Sequence, residues 1–267
     1  TSDKEFHMLT RTLSAMVFVP VLLGLTYLGG LYTGILVVLV SLLALKEVLQ
    51  IGQIMGYRPW TISTGFFAAA WLLLIFSGQK QWMFLVLIVW LLFAMGKMAI
   101  GYPKINLGEA GFNGFAPIYT VVLFSHFYLI RGLENGLAWA FLTFALVWAT
   151  DTFAYLIGRA VGKHPLAPQV SPKKTVEGSL GGLIFCLLSG ILAWKIIGIG
   201  SFSSYMVISF IVGIIGQIGD LFESALKRRV NIKDSGNVIP GHGGILDRFD
   251  SLLFVVPIMY YWALCVG

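Results

Sequence analysis

The sequence predicts an all-α polytopic bundle integral to a membrane, with about nine transmembrane helices and a cytoplasmic N-terminus. Composition, the spacing of apolar runs and the distribution of lysine and arginine carry that expectation. Hydrophobic residues make up 58% of the chain and charged residues 11%, with a mean hydropathy of +0.87. Soluble domains carry about 25% charged residues, so a soluble helical protein of this make-up would have no polar surface to turn toward water.

A hydrocarbon core of about 30 Å takes about 20 apolar residues in a helix. The runs that meet or approach this length are 10–28, 31–48, 60–77, 81–98, 113–130, 137–158, 178–198, 203–226 and 246–266. Only Gly29-Gly30 separates the first two, which reads as a tight turn. Basic residues then alternate with the spans. One side takes Lys4 and Arg11 at the start of the first, Lys46 and Arg58 at and beyond the end of the second, and Lys97 and Lys104 at and beyond the end of the fourth. It also takes Arg159, Lys163, Lys173 and Lys174 after the sixth, and Lys227, Arg228, Arg229, Lys233 and Arg248 between the last two. Only Lys80, Arg131 and Lys195 fall on the other side. That asymmetry places the N-terminus and the long polar loops in the cytoplasm and supports an odd number of spans.

No internal repeat and no long linker divides the chain. The expected organisation is a tail at 1–9, a scaffold of five helices at 10–130 with dimer contacts as one role for it, and a catalytic region at 137–267 with cytoplasmic loops 159–177 and 227–245. The stretch TSDKEFHM does not resemble a signal peptide. Residues 1–7 read equally well as native chain or as an addition before a natural start at Met8. Cys186 and Cys265 lie in apolar runs and suggest neither a disulfide nor a thiolate metal site. A net charge of +6 spread over short loops suits anionic headgroups and phosphate substrates better than nucleic acid.

Charge near hydrocarbon is costly, yet the chain holds a cluster of it at one face. Asp220, Glu223, Ser224 and Lys227 form one stripe at i, i+3, i+4 and i+7 of the eighth helix. Asp220 lies about 10 Å below Lys227, and Asp151 about 12 Å below the Arg159 end of the sixth helix, at the helical rise per residue. Asp247 and Asp250 stand one turn apart at the start of the ninth. Any one of these carboxylates could serve a structural ion pair. Three at similar depth on three helices are the oxygen donors that Mg²⁺ takes together with phosphate and water. No Cys pair or close His pair offers a zinc site.

Two loops could hold phosphate. SPKKTVEG (171–178) sets Lys173 and Lys174 just before Thr175, a candidate N-cap whose helix amides suit a polyphosphate. PGHGG (240–244) supplies glycines for close backbone approach; it is not a Walker A loop. Lysine-rich loops are also ordinary cytoplasmic anchors, and the carboxylates on the same side favour the functional reading. His126, in an apolar helix, reads as a packed histidine. His164 could face solvent or phosphate, and His242 is the histidine placed in the site.

The stretch from Ser224 to Asp250 resembles the signature of the phosphatidate cytidylyltransferase (CDP-diacylglycerol synthase) family. The pattern is carried by Ser224, Lys227, Arg228, Lys233, Asp234, Gly236, Ile239, Pro240, His242, Gly243, Gly244, Asp247, Arg248 and Asp250. DTFAYLIGR (151–159) and SPKKTVEG also resemble that family, and the likeness spans about residues 147–256. The first five helices resemble it in length and hydropathy only. The resemblance implies transfer of CMP from CTP to phosphatidic acid, giving CDP-diacylglycerol and pyrophosphate, with a divalent metal on Asp220 and Asp247, and it implies a homodimer. The implied setting is a bacterial cytoplasmic membrane, in contact with its lipids and with the active site facing the cytoplasm.

A phosphate monoester is already anionic near neutral pH, so the nucleophile needs no base. The chemistry instead calls for cations and positioning. Asp220 and Asp247 are the expected ligands of Mg²⁺, with Asp151 and Asp250 as further ligands or orienters; a second cation, monovalent or divalent, is left open. Lys173, Lys174, Lys227, Arg228 and Arg248 are the expected phosphate clamps. Ser171, Thr175, Ser224, Lys233, Asp234, His242 and the Gly243 and Gly244 amides complete the expected substrate site. The alternatives are a CTP-dependent lipid-alcohol kinase, which would release CDP, and a transporter, which would place its charges near mid-bilayer in paired halves.

Overall fold

The computed structural model describes residues 16–238 and 243–266; the expected tail at 1–9 and His242 lie outside them. Nine helices follow one another along the described residues: α1 Met16–Leu28, α2 Gly30–Ile54, α3 Thr61–Phe76, α4 Met83–Gly101, α5 Leu107–Arg131, α6 Gly136–Val161, α7 Val176–Ile197, α8 Phe202–Arg229 and α9 Leu246–Val266. Seven are long and apolar enough to cross a bilayer, and α1 and α3 are shorter apolar helices. The chain is an all-α polytopic membrane protein.

Local chemistry sets the breaks. Gly29 and Gly30 take φ of 71° and 48°, a left-handed pair that reverses the chain between α1 and α2 at no Cβ cost. Pro117 inside α5 lacks the N–H that would continue the hydrogen-bond ladder. The helix widens into a π turn over Ile118–Val122 before resuming.

The connection from α6 to α7 departs from the expected loop. It is an antiparallel hairpin of β1 Pro165–Ala167 and β2 Ser171–Thr175, with Pro165 opposite Thr175 and Ala167 opposite Ser171. Pro165, Pro168 and Pro172 exclude helix here and hold their preceding residues extended.

The chain forms two compact units. The first comprises the described residues up to Tyr128 together with the described part of Asp234–Asp247; the second comprises Leu129–Lys233 and the chain from Arg248 onward. In the first, α2 buries Val37, Val40, Ala44 and Val48 at helical spacing. Polar groups close on one another, as a bilayer interior demands. The Asn113 side chain accepts from the Trp60 amide at 2.8 Å and donates to the Arg58 carbonyl at 3.0 Å. The Trp90 indole donates to the Gly114 carbonyl at 2.8 Å.

In the second unit Trp139, Tyr205 and Trp262 meet edge to face around Trp262, each of the other two rings 5.2 Å from it. Helices α6 and α7 approach through glycine, as small residues allow in membranes. A Cβ at Gly178 would lie 2.6 Å from the Ala154 carbonyl oxygen and 3.0 Å from Gly158 Cα, and one at Gly182 2.7 Å from the Thr150 carbonyl oxygen. Backbone atoms cannot rotate out of the way as a side chain can. Gly178→Ala is therefore expected to cost about 1–3 kcal/mol of overpacking, read as a lowered unfolding midpoint in detergent.

Candidate active site

The second unit encloses a cavity of about 580 Å³, open on one side and lined by residues of α6, the hairpin, α7 and α8. Its position follows from how the hairpin is rooted. Glu177, in the first turn of α7, accepts the backbone N–H groups of Lys163 at 3.0 Å and His164 at 3.2 Å, and its other oxygen meets His164 Nδ1 at 2.5 Å. This contact fixes the chain where it leaves α6, with the His164 side chain 77% exposed. Thr175 N-caps α7, its hydroxyl accepting from the Gly178 amide at 3.1 Å. At the far end of the hairpin Arg228 donates through Nε to the Val170 carbonyl at 3.2 Å.

Rooted at both ends, β2 presents Ser171, Lys173, Lys174 and Thr175 to the cavity. The same cavity is lined by Asp151 from α6 and Asp220 from α8. The Lys174 ammonium lies 2.5 Å from Asp220 Oδ2, with both side chains about one-third exposed. Asp250, on α9, interacts electrostatically with Asp220, Asp151 and Lys174. Carboxylates of α6 and α8 and the lysines and hydroxyls of β2 therefore line one cavity, and Lys174 joins the two sets through Asp220.

A model of the cytidylyltransferase family matches residues 9–266. The chain belongs to the cytidylyltransferase family. A protein named phosphatidate cytidylyltransferase from Staphylococcus haemolyticus (strain JCSC1435) is 36% identical over 261 residues, covering 94% of this chain and 97% of that one. Its namesake from Staphylococcus aureus (strain COL) is 36% identical over 270 residues, with coverage of 94% and 97%. That from Staphylococcus epidermidis (strain ATCC 12228 / FDA PCI 1200) is 34% identical over 259 residues, covering 94% and 95%.

As a cytidylyltransferase family member, the chain distributes its remaining expected site residues unevenly. Lys227 pairs with Glu223 at 2.6 Å, and their side chains are only 12% and 1% exposed, so this lysine neutralises a buried carboxylate. Arg228 donates through Nε and Nη1 to the carbonyls of Val170 and Ile232. Neither residue lines the cavity, and nor does Ser224. Lys233, Asp234 and Arg248 are exposed.

In the first unit Gly243 takes φ of 84°. The Gly244 amide, expected to face phosphate, instead donates to Asp247 Oδ2 at 2.7 Å. The same oxygen accepts the Ser235 amide at 2.9 Å and lies 3.0 Å from its hydroxyl. His126, expected as a packed histidine, is buried and donates from Nδ1 to the Val122 carbonyl at 2.9 Å.

Sequence reasoning passed over Arg159, Tyr155, Ser179 and Gln217, all of which line the cavity. Arg159 and Tyr155 occupy one helical face at i and i+4 and are bonded at 3.3 Å; that spacing from Asp151 was the available signal. Among the described residues no three His, Cys, Asp or Glu side chains form a ready-made metal cage. Asp151 and Asp220, which line the cavity, are oxygen donors of the kind a hard divalent cation takes, usually one or two of them with substrate phosphate and water.

Proposed function

We propose that this family member is a phosphatidate cytidylyltransferase, transferring CMP from CTP to phosphatidic acid to give CDP-diacylglycerol and pyrophosphate. The observation that supports this most directly is the cavity itself, which the β2 lysines and the carboxylates of α6 and α8 line together. Two polyanions must meet for the reaction, and their repulsion is the main obstacle.

A phosphatidate oxygen attacks the α-phosphorus of CTP. As its bond to phosphorus forms, the bond from that phosphorus to the bridging oxygen breaks, and the electron pair leaves with pyrophosphate. Lys173, Lys174 and Arg159 offset the charge of the triphosphate and hold it in line. Ser171 and Ser179 offer hydroxyls to phosphate oxygens. No protein base is required, because the attacking oxygen carries its charge already. A divalent cation, with Asp220 and Asp247 as its proposed ligands and Asp151 and Asp250 as supports, would neutralise charge on the α-phosphate and the leaving group.

The setting we propose is a bacterial inner membrane with the site at its cytoplasmic face. The lysine and arginine bias supports it. A homodimer is likewise our proposal.

The decisive experiment incubates the purified chain in detergent with phosphatidate, Mg²⁺ and CTP labelled in turn at the α- and γ-phosphates. The α-label is expected in the lipid product and the γ-label in pyrophosphate. Lipid carrying the γ-label, with CDP released, would replace this reading with a kinase. Substrate movement without nucleotide turnover would replace it with a transporter.

A further inference from the structure

Glu47 lies within the apolar helix α2 and is only 2% exposed. Burying a carboxylate there is costly unless hydrogen bonds compensate it. The compensation comes from nearly 200 residues along the chain. Glu47 Oε1 accepts the Ile245 amide at 2.9 Å, and Oε2 accepts the Leu246 amide at 2.8 Å. Those amides begin α9, where the helix dipole also favours a carboxylate. Oε2 further lies 2.9 Å from the Ser235 hydroxyl.

That hydroxyl is shared. Ser235 Oγ stands 2.9 Å from Glu47 Oε2 and 3.0 Å from Asp247 Oδ2, and its single proton serves one carboxylate at a time. Asp247 Oδ2 also takes the Ser235 and Gly244 amides. Two carboxylates therefore clasp one stretch of backbone, Glu47 from outside it and Asp247 from within. Glycines leave the room. A Cβ at Gly236 would lie 2.7 Å from Glu47 Oε1, and the space a Cβ would take at Gly244 is filled by the Glu47 carboxylate and Ser235 Oγ.

We propose that Glu47 is a positioning residue for Asp247, its carboxylate setting the Ser235 hydroxyl and the start of α9 so that the Asp247 side chain is held in one orientation. This rests on the reading that Asp247 serves the transfer reaction. Glu47 itself touches no substrate. An isosteric replacement is informative here: Glu47→Gln keeps the volume but turns an NH₂ donor toward either the Ile245 amide or the Leu246 amide with Ser235, so at least one donor faces a donor.

The test uses the full chain in detergent with four variants: E47Q, D247N, their combination, and S235A. For E47Q the expected result is a kcat lowered about 10- to 100-fold, as a small misplacement of a reacting group produces. KM for CTP should stay within about threefold, marking a loss confined to the transition state. Amide exchange at Ile245 and Leu246, followed by mass spectrometry, should quicken by about tenfold or more while exchange in α6 and α7 is unchanged. Adding E47Q to D247N should change the residual rate by less than about twofold, since residues acting as one unit are not additive.

Should E47Q fail to fold, S235A decides. It removes only the shared hydroxyl and is expected to lower kcat by about threefold to tenfold while KM for CTP stays within about threefold. A wild-type kcat in E47Q or S235A would overturn the proposal, and so would losses in E47Q and D247N that multiply. Wild-type activity in D247N would overturn the role of Asp247 itself, and the Glu47 inference with it, while leaving the cytidylyltransferase assay intact.

Discussion

Replacing Asp220 with asparagine is expected to lower the kcat of CMP transfer about 100- to 1000-fold, the scale of losing a principal electrostatic group at a phosphoryl centre. Asp220 is in the cavity wall and in contact with Lys174. The sign of the change makes the experiment sharp. Removing a negative charge from a site that binds polyanions favours the substrate by Coulomb's law. KM for CTP should therefore stay level or fall while kcat drops. A loss of rate against that gradient can come only from the transition state. The measurement is steady-state transfer at varied CTP and varied Mg²⁺, and the Mg²⁺ needed for half-maximal rate should rise. An unchanged kcat with a raised KM would remove Asp220 from the reacting centre.

The second large effect belongs to Lys174. Lys174→Met keeps the apolar stem and deletes the ammonium, and KM for CTP is expected to rise about 10- to 100-fold, the range for a charge-assisted contact to phosphate. Lys173→Met, at the more exposed neighbouring position, should cost less. The Mg²⁺ requirement separates two roles for Lys174. Its ammonium occupies Asp220 at 2.5 Å, where it competes with any cation that binds the same oxygen. Deleting it should leave the Mg²⁺ requirement unchanged or lower it, opposite to the effect of Asp220→Asn. A raised requirement in Lys174→Met would show that the lysine orders the carboxylate instead of competing for it.

Helix positions were legible because each depends on its own residues. Twenty or so apolar residues make a span, Gly29-Gly30 makes a turn, and a threonine before an apolar run makes a cap, whatever lies elsewhere. The carboxylates of α6 and α8 were legible for the same reason, since charge in an apolar helix announces itself. The hairpin was not. Its strands are short and polar, and the prolines that exclude helix there do not specify what replaces it. Lys227 was read as a phosphate clamp although Glu223 stands one turn before it; the spacing was visible, and burial decided its partner. Glu47 was hidden by distance along the chain. Beside Lys46 it looks like an ordinary charged pair near a helix end, and only the folded protein brings Ser235 and the first turn of α9 to it.

The glycine contacts between α6 and α7 bear on how a two-tailed lipid can enter. With the Gly178 and Gly182 backbones pressed against α6, the seam between these helices admits no acyl chain. The apolar part of the cavity wall includes Tyr155, Leu166 and Leu221, and Tyr155 is 63% exposed. On the proposed reaction, a lipid whose tails stay in the bilayer would reach the cavity over this rim and not between the two helices that Gly178 and Gly182 hold together.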